Sequence, residues 1–343
     1  MRATEMHSRI AVLGAGSIGC YLGGALLGAG ADVILIGRAR MQARVRAHGL
    51  TLTDSSARST VLAPEQVAFT EDPGALASAG LILVTVKSAD TDAAAALVAL
   101  HARPDAVVLS LQNGVGNVER LRAALPGRQV LAGMVPFNVV QLEETRMHRG
   151  TAGEVMVETT AALGPWEAAF AAAHLPLQQQ ADFVAVQWGK LLINLNNAVN
   201  ALAGIPLQAE FSQHGYRRCL ALLIDEGRTV LQAAGIAPAK VVKLGPRLLP
   251  LVLRLPDIVF KRVAAPMLRI DPQARSSMWE DLEAGRRTEV DYLNGAIVTL
   301  AQSIGRSAPY NERMVALVRA AEAGQRAPIS GERLYARLRA RSL

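Results

Sequence analysis

Cysteine, aromatic side chains and long uninterrupted apolar runs are all scarce in this chain of 343 residues, and each scarcity excludes something. The two cysteines, Cys20 and Cys219, are far apart and have no CxxC or CxxH neighbour. A disulfide framework is therefore excluded, no metal site is expected, and a reducing, cytoplasmic setting fits best. Cys20 reads as a small packing residue rather than a nucleophile. Aromatics make up 4% of a composition that is 51% hydrophobic, so the cores should be aliphatic and much of the chain helical, which argues against an all-β protein. Residues 1–7 lack the charged, apolar and cleavage-site order of a signal peptide. The most apolar later stretch, residues 244–263, is cut by Pro246, Pro250 and Pro256 and carries Arg247, Arg254, Asp257, Lys261 and Arg262. It does not read as a membrane span, and no membrane partner is expected.

What is present suits a globular protein of two domains, each long enough to bury its own core. The formal charge of +7 attracts anions, but the arginines are dispersed and no nucleic-acid motif accompanies them. A small anionic substrate and an anionic cofactor account for the charge more simply than nucleic acid does. Oligomeric state is not legible, although a homodimer is compatible with this reading.

The strongest local signal is Gly14-Ala15-Gly16-Ser17-Ile18-Gly19, a GxGxxG turn that follows an apolar strand at residues 10–13 and opens a small-residue helix running to about Gly28. Gly14 suits the tight turn, Gly16 a close backbone approach to a pyrophosphate, and Gly19 close helix-to-strand packing, with phosphate oxygens at the helix N-terminus beside Ser17 and Ile18. Further short apolar runs at residues 32–36, 81–86 and 106–111, with a helix at 92–100 between two of them, predict a parallel sheet covered on both faces. Residues 127–135 add one more strand, 151–163 predict hairpin strands at the sheet edge, and 166–175 predict a helix. The polar stretch 176–182 (PLQQQAD) reads as the domain boundary, giving an α/β Rossmann domain over residues 1–180 and an all-helical domain over 181–343. Helices are expected there at 184–201, 215–234, 277–284 and 288–303.

An acidic residue some twenty positions after the glycines, where it would hold the ribose of NAD, is missing at the end of the second strand. Arg38 and Arg40 stand there instead, and a guanidinium in that place favours NADP by pairing with its 2′-phosphate. Lys87 follows the strand at 81–86 and Asn113 the strand at 106–111, both at carboxyl ends, where open α/β sheets bind ligands. Within residues 188–197, ideal helical spacing places Lys190, Asn194 and Asn197 within an arc of about 60°. Three such groups on an apolar helix need partners if that face is buried. Ser276 or Ser277 could serve simply as a helix cap, Thr288 as another, and Glu289 as a first-turn acid.

Taken in order, GAGSIG, Arg38, VTVKS with Lys87, LQNG with Asn113, WGKLLIN with Lys190 and Asn194, SSM with Ser277, and RRTEVDYLNG with Glu289 resemble the ketopantoate reductase family over essentially the whole chain. The resemblance implies a Rossmann domain followed by a helical one, and reduction of 2-dehydropantoate to pantoate with NADPH. It implies that Lys190 protonates the oxygen formed as hydride reaches the ketone, and that Asn113 orients the carbonyl or the nicotinamide. It also implies that Ser277 binds the substrate carboxylate, that Asn194, with Asn197 near it, holds the hydroxyl tail, that Glu289 positions the cofactor ribose and Lys190, and that Lys87 lies close to the cofactor. The chain departs from the family pattern at Ala198, where a second Asn is frequent and Asn197 and Asn200 stand on either side. Further departures are Ala274, residues 134–138, and an apparent insertion at 243–271. These bear on which 2-oxo acid is used. An opine-type or hydroxy acid dehydrogenase, or a catalytically silent NADP-binding regulator, are the alternatives on the same architecture.

Overall fold

The computed structural model describes residues 8–241, 244–265 and 274–340. They fall into two compact units, one ending at Phe183 and the other beginning at Val184.

In the first unit, short apolar runs form a parallel sheet whose central strands are buried on both faces, as their near-continuous hydrophobicity requires. Its strands are β1 (Ile10–Leu13), β2 (Val33–Ile36), β5 (Ala68–Thr70), β6 (Leu81–Val84), β7 (Val107–Ser110) and β8 (Val130–Met134). They lie side by side and parallel in the order β8-β7-β6-β1-β2-β5. Beyond β8 come β11 (Val155–Glu158), antiparallel to it, and β12 (Leu177–Gln180), parallel to β11. The expected hairpin at 151–163 is therefore corrected to the single strand β11. The polar stretch 176–182, expected as the domain boundary, supplies the edge strand β12, where alternate side chains need no burial.

A second sheet, four strands in the order β4-β3-β10-β9, was not foreseen. It consists of β3 (Leu50–Asp54), β4 (Ser59–Leu62), β9 (Val139–Gln141) and β10 (Arg146–Arg149). Its presence explains the composition of the helix after the glycine turn, α1 (Ser17–Gly28). A Cβ on Gly23 would lie 2.3 Å from a Leu35 methyl of the large sheet, and one on Gly24 would lie 2.6 Å from a Leu50 methyl of the small sheet. The helix is pinched between two sheets, and small residues let both approach. Cys20 is wholly buried in α1, its Sγ against Ala15 O at 3.4 Å, and burial pushes its thiol up to about 12, consistent with a packing role. The unit is completed by α2 (Ala39–His48), α3 (Thr91–His101), α4 (Asn117–Ala124) and α5 (Gly164–Ala172).

Every regular element among the described residues of the second unit is helical. It comprises α6 (Phe183–Asn194), α7 (Asn196–Ala203), α8 (Leu207–Phe211), α9 (His214–Ala233), α10 (Leu249–Leu253), α11 (Asp257–Val263), α12 (Ser277–Glu283), α13 (Asn294–Ser303), α14 (Pro309–Glu322) and α15 (Gly331–Arg339). The helix expected at 184–201 is divided at Leu195, so Asn197 does not share one continuous helix with Lys190 and Asn194. The helix expected at 288–303 begins instead with a 3-10 turn, Val290–Tyr292, and α13 starts at Asn294. Thr288 Oγ1 accepts the Val290 N–H in a local turn rather than capping an α-helix. Of the 243–271 segment, residues 243 and 266–271 lie outside the described residues; the remainder includes α10 and α11. Among the described residues no helix is long and apolar enough to cross a membrane.

Candidate active site

In the first unit, the polar residues singled out from the sequence gather at the carboxyl ends of adjacent strands. Gly14 follows β1 with φ +110°, and a Cβ there would sit 2.6 Å from the Val86 backbone nitrogen, so the turn demands glycine. Gly19 packs so tightly that its Cβ would lie 2.4 Å from Gly14 O. Around Gly16, by contrast, an added Cβ would meet nothing within 4 Å. Gly16 is the N-cap of α1, where no side-chain cap and no first-turn acid compete for the amides of Ser17, Ile18 and Gly19. Open space beside the helix-start N–H groups fits a pyrophosphate.

Neighbouring loops are stitched to this turn. Thr85 Oγ1, just after β6, donates to Gly14 O at 2.9 Å. Lys87 is half-buried and heads a short 3-10 turn, Ser88–Asp90. Ser88 Oγ donates to Asn113 O at 3.0 Å, and Asn117 Nδ2 donates to the same carbonyl at 2.7 Å. The structure thus brings Gly14, Lys87 and Asn113 to the ends of β1, β6 and β7, three neighbouring strands. Gln112, quoted only as part of LQNG, is 8% exposed; its Nε2 bonds Thr91 Oγ1 at 2.8 Å and Val86 O at 3.2 Å, joining the same two loops. Arg38 lies past the end of β2 as the N-cap of α2, largely exposed, with Asp90 Oδ2 at 3.8 Å. No acid replaces it at that strand end.

In the second unit, Lys190 and Asn194 lie one helical turn apart on α6, with Leu191 and Leu192 buried on the adjoining face. The residue before the lysine is Gly189 because the chain at Ala239 crosses α6 there: a Cβ would lie 2.3 Å from Ala239 O. Burial lowers the pKa of Lys190 to about 8, and the attraction of the Glu289 carboxylate holds it from falling further. Glu289 precedes the 3-10 turn Val290–Tyr292. Ser276 is the cap of α12, its Oγ accepting from Trp279 N at 3.1 Å, which leaves Ser277 exposed as the first helical residue. Asn197 belongs to the same neighbourhood, since Ser276 Oγ donates to its backbone carbonyl at 3.1 Å. Lys190 with Glu289, and Asn197 with Ser276 and Ser277, are therefore two clusters of one unit.

The sequence reading missed the buried polar residues behind these clusters. Asn200 and Glu210 are 0% and 1% exposed, and their partners lie in other helices, so no local spacing marks them.

A glycine turn at the carboxyl end of a parallel strand, followed by a helical unit carrying a desolvated lysine beside a glutamate, defines a dinucleotide-binding protein of the two-unit oxidoreductase type. Sequence profiles described as ketopantoate reductase PanE/ApbA and its C-terminal part match residues 10–161 and 182–322. A 2-dehydropantoate 2-reductase of Halobacterium salinarum is 31% identical, over 92% of this chain and 99% of its own length. A PanE/ApbA family ketopantoate reductase from Ralstonia eutropha is 32% identical with a TM-score of 0.78, covering 92% of this chain and 99% of that one. D-mandelate dehydrogenase, solved with NADH and anilino(oxo)acetate, shares the fold at a TM-score of 0.75 and 18% identity, over 92% and 99% of the two chains. The chain belongs to the ketopantoate reductase family, and is a pyridine-nucleotide-dependent oxidoreductase.

Proposed function

We propose that this protein reduces 2-dehydropantoate, or a closely related 2-oxo acid, to the 2-hydroxy acid with NADPH. The observation that carries the reading is Lys190, a lysine brought by burial to a pKa of about 8 beside Glu289. An ammonium of that pKa is still protonated at neutral pH, yet releases its proton far more readily than an exposed lysine does.

The roles follow from the chemistry of each group. The nicotinamide supplies the hydride when bound. Gly14, Gly16, Ser17, Ile18 and Gly19 hold the pyrophosphate through backbone N–H groups, Arg38 takes the 2′-phosphate, and Lys87 and Asn113 lie toward the nicotinamide half. Ser277 donates to the substrate carboxylate, and Asn194 and Asn197 bond its hydroxyl tail. Lys190 Nζ stabilises the developing alkoxide and then gives it a proton, while Glu289 keeps Nζ charged and contacts the cofactor ribose. A silent sensor would have no use for a tuned proton donor.

The pH dependence tests this directly. Because the donor must be protonated, turnover in the reducing direction should fall as pH rises through about 8, and oxidation of the hydroxy acid, which needs the neutral amine, should rise over the same range. Steady-state kcat measured in both directions from neutral to alkaline pH gives the answer; two profiles that move together would defeat the assignment.

A further inference from the structure

The side chain of Asn200 is completely buried, and both ends of its amide are committed. Nδ2 donates to Glu210 Oε2 at 2.6 Å and to Ile205 O at 3.0 Å, and Oδ1 accepts the Ser276 N–H at 2.9 Å. Two acceptors on one side and one donor on the other allow a single orientation, since turning the amide over would set its N–H groups against that of Ser276. Beside this bridge, Leu207 N donates to Ala274 O at 2.9 Å and Arg275 Nη1 to Gly204 O at 3.0 Å. The backbone entering α12 is thus fastened to α7 and α8 along one seam, and Ser277 is the next residue of that backbone. Glu210, on α8, is the buried end of the seam.

Resting on the reading of Ser277 as the group that meets the substrate carboxylate, we propose that Glu210 is a positioning residue for the 2-oxo acid. By fixing the amide of Asn200 it fixes Ser276, and so the place from which the Ser277 hydroxyl is presented. Glu210, Asn200 and Ser276 hold neither the proton donor's nor the glycine turn's role, so the effect should appear in substrate binding. Burial pushes the Glu210 carboxyl up to about 8, against the opposing pull of hydrogen bonds from Asn200 and Asn196, so the neutral acid prevails near pH 7. Glutamine is then a close stand-in for it.

The test uses the full chain and four variants, Glu210→Ala, Glu210→Asp, Glu210→Gln and Ser277→Ala. It reads kcat and KM for the 2-oxo acid that the wild type reduces, NADPH affinity and thermal melting. Losing or retracting one buried acceptor should raise KM about 10-fold in Glu210→Ala and Glu210→Asp, the direction shared with Ser277→Ala, with kcat and NADPH affinity near wild type. Glu210→Gln should restore KM. If Glu210→Ala does not fold, Glu210→Asp and Glu210→Gln decide. Wild-type KM in Glu210→Asp, or a Glu210→Gln variant as impaired as the others, overturns the positioning role while leaving the proposed reaction intact. A wild type that reduces no 2-oxo acid overturns the reaction and this role together.

Discussion

Replacing Lys190 with alanine should lower turnover by about two orders of magnitude or more, the range expected when a general acid is removed. NADPH affinity should change little, because the glycine turn and Arg38 belong to the other unit. The size of the effect follows from what the ammonium does at one atom. As hydride reaches the ketone carbon, the oxygen becomes an alkoxide, and an adjacent positive charge in a desolvated position stabilises it far more than water would. The same group then delivers the proton, so its removal takes away charge and acid together. Burial has tuned Lys190 to about 8, with Glu289 opposing a further fall. Glu289→Gln should therefore be the milder lesion, leaving the donor in place but easier to deprotonate, and its alkaline limb should move to lower pH. Rates of NADPH oxidation for the two variants at saturating substrate check this, and near-wild-type turnover in Lys190→Ala would remove the lysine from the mechanism.

The second large effect concerns cofactor choice. Arg38→Asp should weaken NADPH roughly 10- to 100-fold, the loss of charge-assisted hydrogen bonds to a phosphate, and leave NADH nearly unchanged. Arg38 sits past β2 with most of its side chain in solvent, and its carboxylate neighbour among the described residues, Asp90, is 3.8 Å away. A pair that loose between exposed groups contributes little, so the guanidinium is available to a better anion. Reversing the charge would leave two carboxylates near the same place, and a 2′-phosphate would be repelled. Fluorescence titration with both nucleotides measures the split. Equal weakening of NADPH and NADH would show that Arg38 does not read the phosphate.

The parts legible in the sequence were those with a local cause. β1, β2, β6 and β7 are short apolar runs because the sheet is covered on both faces, and the GxGxxG turn announces itself by spacing. The small sheet was invisible for the opposite reason. β4 has three exposed residues of four, β10 is Arg-Met-His-Arg, and the pairing that joins the sheet's two halves, β3 with β10, comes from distant chain, as with Thr53 Oγ1 and His148 Nδ1 at 2.9 Å. The glycines of α1 were visible as small residues, but only the second sheet explains why α1 needs them on both faces. At the site, Lys190 and Glu289 stood out through the family resemblance, and the structure adds the burial that sets the lysine's pKa. Asn200 and Glu210 could not have been found, because a buried amide and its acid look like ordinary polar residues until Ser276 is folded back onto them.

The most direct measurement is oxidation of NADPH by the purified protein in the presence of 2-dehydropantoate, beside straight-chain and aryl-substituted 2-oxo acids. The account predicts rapid consumption with 2-dehydropantoate or a near relative, with the hydroxy acid formed in step with cofactor oxidation. Tight NADPH binding with no consumption on any of these acids would contradict it and leave a nucleotide-binding protein without the reaction.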